Sequence, residues 1–274
     1  MQKLNELKQW LRDRAPGGIA LAFSGGVDSA LLLAVLRELR EESSFQAAAI
    51  TLRSIFQNPK EIEEAGRMAD QCGIPLRIFE YDPLAIPELQ YNPPDRCYWC
   101  KRHIFLEMKT YARESGFRSL IDGTNADDMK TRRPGLRALR ELRIESPLAA
   151  CGIGKADVRA IARDMRLAFA DKPSSPCMAT RFEYGSALTE DMIRRIVDAE
   201  DALRRILPEA RDLRLRMHGG IARIEVSPDA MGAVVARHAD VRDALRGFDF
   251  NFITLDLNGF SSGSMDFNTH DGED

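Results

Sequence analysis

A chain of 274 residues, 44% hydrophobic and 30% charged, is long enough for about two domains and has the mixture of a folded globule, not of a disordered segment. Its 39 basic and 42 acidic residues leave a net charge of −3, which excludes a global positive field able to hold a long nucleic-acid backbone but leaves room for a local basic pocket. Apolar runs such as Ala30 to Leu36 fall well short of the ~20 residues that cross a bilayer, and five cysteines, an odd number, argue against a disulfide framework.

Met1 to Arg14 alternates charged and apolar residues at helical spacing and lacks the features of a secretory signal, so the expected location is the cytoplasm. Short apolar, branched runs follow at Ile19 to Phe23, Ala47 to Leu52, Leu76 to Phe79 and Ser119 to Asp122. They alternate with stretches of helical period at Ala30 to Glu42, Pro59 to Cys72 and Tyr98 to Ser115. That alternation predicts an α/β fold, a doubly wound parallel sheet wrapped by helices. Loops at the carboxyl ends of such strands form the binding crevice, so Ser24, Asp82 and Gly123 are expected to converge there.

The pattern changes near Tyr184 to Thr189, which sets the expected domains at 1–185 and 186–274. The second reads as a smaller α+β unit for substrate binding or oligomerisation. It comprises a helix at Leu188 to Ile206, strands at Asp212 to Met217 and Ile221 to Val226, a helix at Pro228 to His238, and a strand at Phe250 to Leu257. The tail ending in Asp271, Gly272, Glu273 and Asp274 reads as frayed.

Ser24-Gly25-Gly26-Val27-Asp28-Ser29 sits between an apolar strand and a run of strong helix formers, where unpaired first-turn amides favour an anion. Two glycines let the backbone approach a phosphate, and the flanking serines add hydroxyl donors. The lysine of a Walker A loop is missing. The segment resembles the SGGxDS loop of the adenine-nucleotide α-hydrolase superfamily, the PP-loop enzymes, which attack the α-phosphate of ATP and release pyrophosphate. The resemblance implies ATP binding by Ser24, Gly25, Gly26, Asp28 and Ser29, with Asp28 helping to hold Mg2+. Asp122-Gly123-Thr124-Asn125-Ala126-Asp127-Asp128 resembles the acidic loop these enzymes place beside the nucleotide, adding Asp122, Thr124 and Asn125. Read without the family, it is a helix N-terminus capped by Asp and Asn.

Lys172-Pro173-Ser174-Ser175-Pro176-Cys177-Met178-Ala179-Thr180-Arg181-Phe182-Glu183-Tyr184-Gly185 holds one thiol with a lysine and an arginine in the same stretch, cations that favour a thiolate. This stretch resembles the cysteine loop of the LarE family. Further matches are Arg133-Pro134-Gly135-Leu136, Glu145-Ser146-Pro147-Leu148 and Asp256-Leu257-Asn258-Gly259-Phe260-Ser261-Ser262-Gly263-Ser264-Met265. The resemblance implies an ATP-dependent sulfur transferase that adenylates a carboxylate of pyridinium-3,5-biscarboxylic acid mononucleotide and converts it to a thiocarboxylate for nickel-pincer cofactor synthesis. Some members are thought to sacrifice the cysteine at the position of Cys177.

Here Asp95-Arg96-Cys97-Tyr98-Trp99-Cys100-Lys101-Arg102-His103 adds a Cys-x-x-Cys pair. Likeness to cluster-dependent members makes Cys97, Cys100 and Cys177 candidate catalytic ligands of a [4Fe–4S] cluster carrying an extra sulfide. A sacrificial Cys177 and a zinc site completed by His103 stay open as alternatives. Cys72 and Cys151 read as buried and inert.

Arg214 and Arg216 share one face of a strand expected to be half-exposed, and the resemblance assigns them, with Arg181, to the substrate phosphate. Trp99 is expected to stack on the pyridinium ring. The resemblance assigns Glu200 and Asp229 to a divalent metal. The expected partners are a small nucleotide substrate, a sulfur donor and further copies of the chain, without membrane or nucleic acid. A tRNA thiolase and a non-catalytic nucleotide-binding module are the rival readings.

Overall fold

The computed structural model describes residues 2–130, 133–170, 172, 176–261 and 263–265. The acidic tail and residues 173–175 of the cysteine loop lie outside them. The chain forms two units. The first comprises residues 1–54, 59–81 and 95–175, and the second 55–58, 82–94 and 176–274, so the boundary expected after Gly185 falls inside the second unit.

The first unit runs α1 (Gln2–Arg12), β1 (Ile19–Ala22), α2 (Val27–Glu42), β2 (Ala47–Arg53), α3 (Pro59–Gln71), β3 (Leu76–Glu80), α4 (Arg96–Glu114), β4 (Ser119–Ile121), α5 (Pro134–Glu141), α6 (Pro147–Ala150) and α7 (Lys155–Asp164). Its four strands are parallel in the order β3-β2-β1-β4, with Ile19 beside Ala47 on one side and Ser119 on the other. Strands covered on both faces read as continuous apolar runs, which is why β1 and β2 were visible as Ile-Ala-Leu-Ala and Ala-Ala-Ala-Ile-Thr-Leu. The run Ala30 to Leu36 makes α2 apolar nearly all round, and it is buried against β1, α1 and α7. The chain leaves β1 toward β2 and returns on the other side to β4, so the loops after β1 and β4 flank the point where the strand order reverses. Asp82 follows the edge strand β3 instead, and its carboxylate caps a short turn by accepting from Leu84 N at 2.9 Å.

The second unit contains α8 (Glu190–Ile206), β5 (Arg214–His218), β6 (Ile221–Glu225), α9 (Met231–Ala236), α10 (His238–Leu245) and β7 (Phe252–Leu255). A Gly219-Gly220 turn joins antiparallel β5 and β6, and β7 pairs parallel with β6. The helix expected over Pro228 to His238 is a 3-10 turn, then α9, with a break at Arg237 before α10. Ile193, Ile196, Ala199 and Leu203 of α8 meet Leu215, Ala222 and Ile224 of the sheet to form the core.

Asn92, buried with φ 43°, locks the 82–94 segment to the residues after Cys177. Its amide nitrogen donates to the carbonyls of Ala179, Phe182 and Glu183 at 3.2, 3.1 and 3.0 Å. The two N–H groups of that amide serve all three carbonyls, so Asn92→Ala, at about 1 kcal/mol net per N–H donor, is expected to lose about 2 kcal/mol of unfolding free energy, read by urea denaturation.

Candidate functional site

In the first unit, β1 ends at Ala22 and α2 begins at Val27, and the turn between them has Gly25 at φ 71°, a left-handed conformation that glycine adopts without a Cβ penalty. The first-turn amides of α2 have no acceptor within the helix, because Ala30 N is the first to bond back, to Gly26 O. The hydroxyls of Ser24 and Ser29 stand 3.1 Å apart at the two ends of the loop. A sixteen-residue helix aims its positive end here, which suits a phosphate.

The loop after β4 is pressed against this one. A Cβ on Gly123 would lie 2.9 Å from Ser29 N, so the close approach requires glycine. Gly123→Ala is expected to force the loops apart and weaken ATP binding at least about tenfold, a cost of ~1.4 kcal/mol, measurable by calorimetric titration. Asp122 and Thr124 are buried, and Asp122 accepts from the Thr124 and Ser146 hydroxyls at 2.5 Å each. That network shapes the loop from below. Asn125 caps the following turn through Asp127 N and Asp128 N, and its amide nitrogen donates to Asp28 Oδ1 at 3.1 Å. Asp28 is thereby oriented, and a carboxylate of fixed direction beside a phosphate-binding turn fits a hard divalent cation.

Sequence reasoning missed Lys155, and it read Lys172 as a neighbour of the Cys177 thiol without seeing its bond to the glycine turn. Lys155, the first residue of α7, ion-pairs with Asp28 Oδ2, and Lys172 donates to Gly25 O at 3.1 Å while pairing with Glu64 at 2.7 Å. A lysine at a helix start is an ordinary sequence feature, and nothing in its neighbours marks it.

Cys97 and Cys100 lie in the first turn of α4, three positions apart and so on one face; Cys97 is exposed and Cys100 receives the Tyr81 hydroxyl at 3.8 Å. Trp99 is half-buried edge-to-face with Tyr98, whose hydroxyl is anchored on Glu141 at 2.8 Å. Two thiols one helical turn apart fit two corners of a thiolate-held cluster. Among the described residues no group of three or more His, Cys, Asp or Glu side chains is assembled as a metal site, so Cys97, Cys100 and His103 do not by themselves form one. Burial raises the thiol pKa of Cys72 and Cys151, both packed against the core, which keeps them protonated and unreactive.

In the second unit, Cys177 is exposed and opens the turn Met178–Arg181. An arginine layer holds its backbone. Arg181 donates to Pro176 O at 3.3 Å and to the Thr180 hydroxyl at 3.0 Å, and that hydroxyl donates to Cys177 O at 2.7 Å. Arg181 is also bidentate on Glu200 at 2.8 and 3.2 Å, and Arg216 pairs with Glu225 at 2.9 Å and donates to Thr180 O at 2.8 Å. Burial opposes the Glu200 charge, but Arg181 overrides it and holds the carboxyl below its usual range. Glu200 also accepts from Leu215 N at 3.0 Å and meets Arg204 at 3.6 Å, so its oxygens serve this layer. Asp229 is an exposed residue of another turn, kept low in pKa by the Ser227 hydroxyl.

The face of β5 expected to be half-exposed is buried, with Arg214 and Arg216 at 6% and 4% exposure, because Glu200 and Glu225 arrive from other elements to compensate charge. The compensation is incomplete. Among the described residues, Arg181, Arg204, Arg216 and Arg223 share three carboxylates, Glu200, Glu225 and Asp256, in ion pairs, and Arg214 lies in the same layer. Arg214 has no carboxylate partner among the described residues. Among those residues its one hydrogen-bond acceptor is Leu213 O and its Nε has no partner, and it lies 5.1 Å over the Phe260 ring. Burial, then repulsion from Arg181, pushes its pKa down to about 10. A buried guanidinium with a spare donor has the chemistry to accept an anion.

A family model described as a PP-loop domain matches residues 1–86, the segment holding the glycine turn. The chain is 35% identical over 267 residues to an uncharacterised protein of Synechocystis, covering 96% of each. It is 32% identical over 248 residues to the pyridinium-3,5-bisthiocarboxylic acid mononucleotide synthase of Lactiplantibacillus plantarum, covering 90% of this chain and 88% of that one. A tRNA-cytidine(32) 2-sulfurtransferase of Bdellovibrio bacteriovorus is 29% identical over 113 residues, 40% of this chain and 43% of that one. Similarity to the synthase thus extends through both units, and the chain belongs to the LarE family of PP-loop proteins.

Proposed function

We propose that this chain is an ATP-dependent sulfur transferase that adenylates a carboxylate of pyridinium-3,5-biscarboxylic acid mononucleotide and replaces the AMP with sulfur, yielding the thiocarboxylate for nickel-pincer cofactor synthesis. The observation that carries the reading is Arg214. A mononucleotide has one phosphate, and the second unit offers one buried guanidinium that lacks a carboxylate partner among the described residues.

A carboxylate resists attack because its leaving group would be oxide; joined to AMP it becomes a reactive acyl phosphate. The α2 amides and the Ser24 and Ser29 hydroxyls would bind the phosphates of ATP, and Asp28 would hold Mg2+, which when bound neutralises phosphate charge.

The sulfur source we favour is a [4Fe–4S] cluster held by Cys97, Cys100 and Cys177, which when bound presents an exchangeable sulfide to the acyl carbon. Iron and sulfide assays on anaerobically purified protein, with the intact mass after turnover, test it. Stoichiometric iron with Cys177 intact is expected; no iron and Cys177 converted to dehydroalanine would replace the cluster by sacrifice. Failure to release pyrophosphate with any carboxylate, despite ATP binding, would leave a nucleotide-binding module. The reading brings with it an external sulfur donor and a homo-oligomer, the latter read by light scattering.

A further inference from the structure

We infer that Lys155 does for this glycine turn what the absent Walker lysine does elsewhere, and that it is stored as the counter-cation of Asp28 until metal-nucleotide arrives. The inference rests on the ATP reading above. Both oxygens of Asp28 are occupied: Oδ1 accepts from the neutral amide of Asn125 at 3.1 Å, and Oδ2 takes the Lys155 ammonium. The lysine is delivered with little freedom, because it starts α7 with its own backbone N–H on Asp127 Oδ2 at 2.8 Å, and Asp127 N is bonded to Asn125 Oδ1 at 2.9 Å. One short chain of contacts therefore joins the first loop, the second loop and the start of α7. A divalent cation seeking Asp28 must displace an ammonium, not a water. Displacement turns Lys155 loose beside the α2 amides and the Ser24 and Ser29 hydroxyls, where phosphate charge has just arrived. Metal capture and phosphate capture are thus coupled by exchange: metal without nucleotide strands a positive charge, and nucleotide without metal must pull Lys155 from Asp28 unaided.

The coupling gives Lys155→Met effects of opposite sign on two ligands. Removing the ammonium leaves Asp28 uncompensated, so Mn2+ alone, followed by its paramagnetic resonance signal, is expected to bind about tenfold tighter than to the wild type, ~1.4 kcal/mol. Calorimetric affinity for Mg-ATP is expected to fall about 10- to 100-fold, one lost charge-assisted contact. Lys155→Arg keeps the charge and is expected to hold both affinities within about threefold of wild type, which also covers the case that the methionine variant does not fold. Equal Mg-ATP affinity in the wild type and Lys155→Met, Mn2+ binding that weakens in Lys155→Met, or a Lys155→Arg whose affinity for Mg-ATP or Mn2+ shifts well beyond about threefold, would overturn the inference while leaving the ATP reading intact. A wild type that binds no ATP would instead overturn the reading on which it rests.

Discussion

Replacing Arg214 with methionine is expected to make the protein more stable and a poorer enzyme. The guanidinium is buried and its burial lowers its own pKa to about 10, the mark of a charge kept away from water without adequate partners. An apolar side chain of similar length removes that cost and can pack on Phe260, so unfolding free energy should rise by about 1–3 kcal/mol. The phosphate of the substrate loses two charge-assisted hydrogen bonds together, about 3 kcal/mol or more than a hundredfold in affinity. Thermal unfolding with and without inorganic phosphate reads both effects: phosphate should raise the midpoint of the wild type and leave that of Arg214→Met unmoved. A variant less stable than wild type, still protected by phosphate, would make Arg214 a structural residue.

Cys177→Ala should separate the two halves of the reaction. The groups assigned to ATP are the glycine turn, Asp28 and Asn125, and the thiol of Cys177 is assigned to sulfur transfer alone. Pyrophosphate release driven by the mononucleotide is expected to stay within about threefold of wild type, while thiocarboxylate formation falls at least about a thousandfold, ~4 kcal/mol. AMP would then leave by hydrolysis of the acyl adenylate. If both activities fall together, Cys177 takes part in adenylation and the division of labour proposed here is wrong.

The parts of the fold legible in the sequence were those in which one segment decides its own structure. Strands covered on both faces announce themselves as branched apolar runs, and Ser24-Gly25-Gly26 between such a run and a string of leucines leaves little alternative to a turn and a helix start. Short helices such as α5 and α7 were not legible. Each is eight to ten residues long, too short for a strong period. The split between α9 and α10 was also hidden, because the apolar spacing continues across Arg237 while the backbone there does not.

At the site, the residues with a motif around them were found, and those recruited from a distance were not. Lys155 and Asp28 are 127 positions apart, and Ser146, though part of a family match, gave no sign of its bond to Asp122, 24 positions away. The strand Arg214-Leu215-Arg216-Met217 shows the same limit from the other side. Alternating charged and apolar residues normally mean one wet face, but here Glu200 and Glu225 sit against that face and make burial affordable for Arg216, leaving Arg214 as the remainder. What the unpartnered charge is for could be read only once its neighbours were in place.

The most direct test is to incubate the anaerobic protein with the pyridinium mononucleotide, ATP, magnesium and a sulfide source, then weigh the nucleotide product against the AMP formed. One oxygen exchanged for one sulfur with each AMP is the predicted result. AMP formed without any sulfur in the product, or sulfur incorporated without AMP, would contradict it.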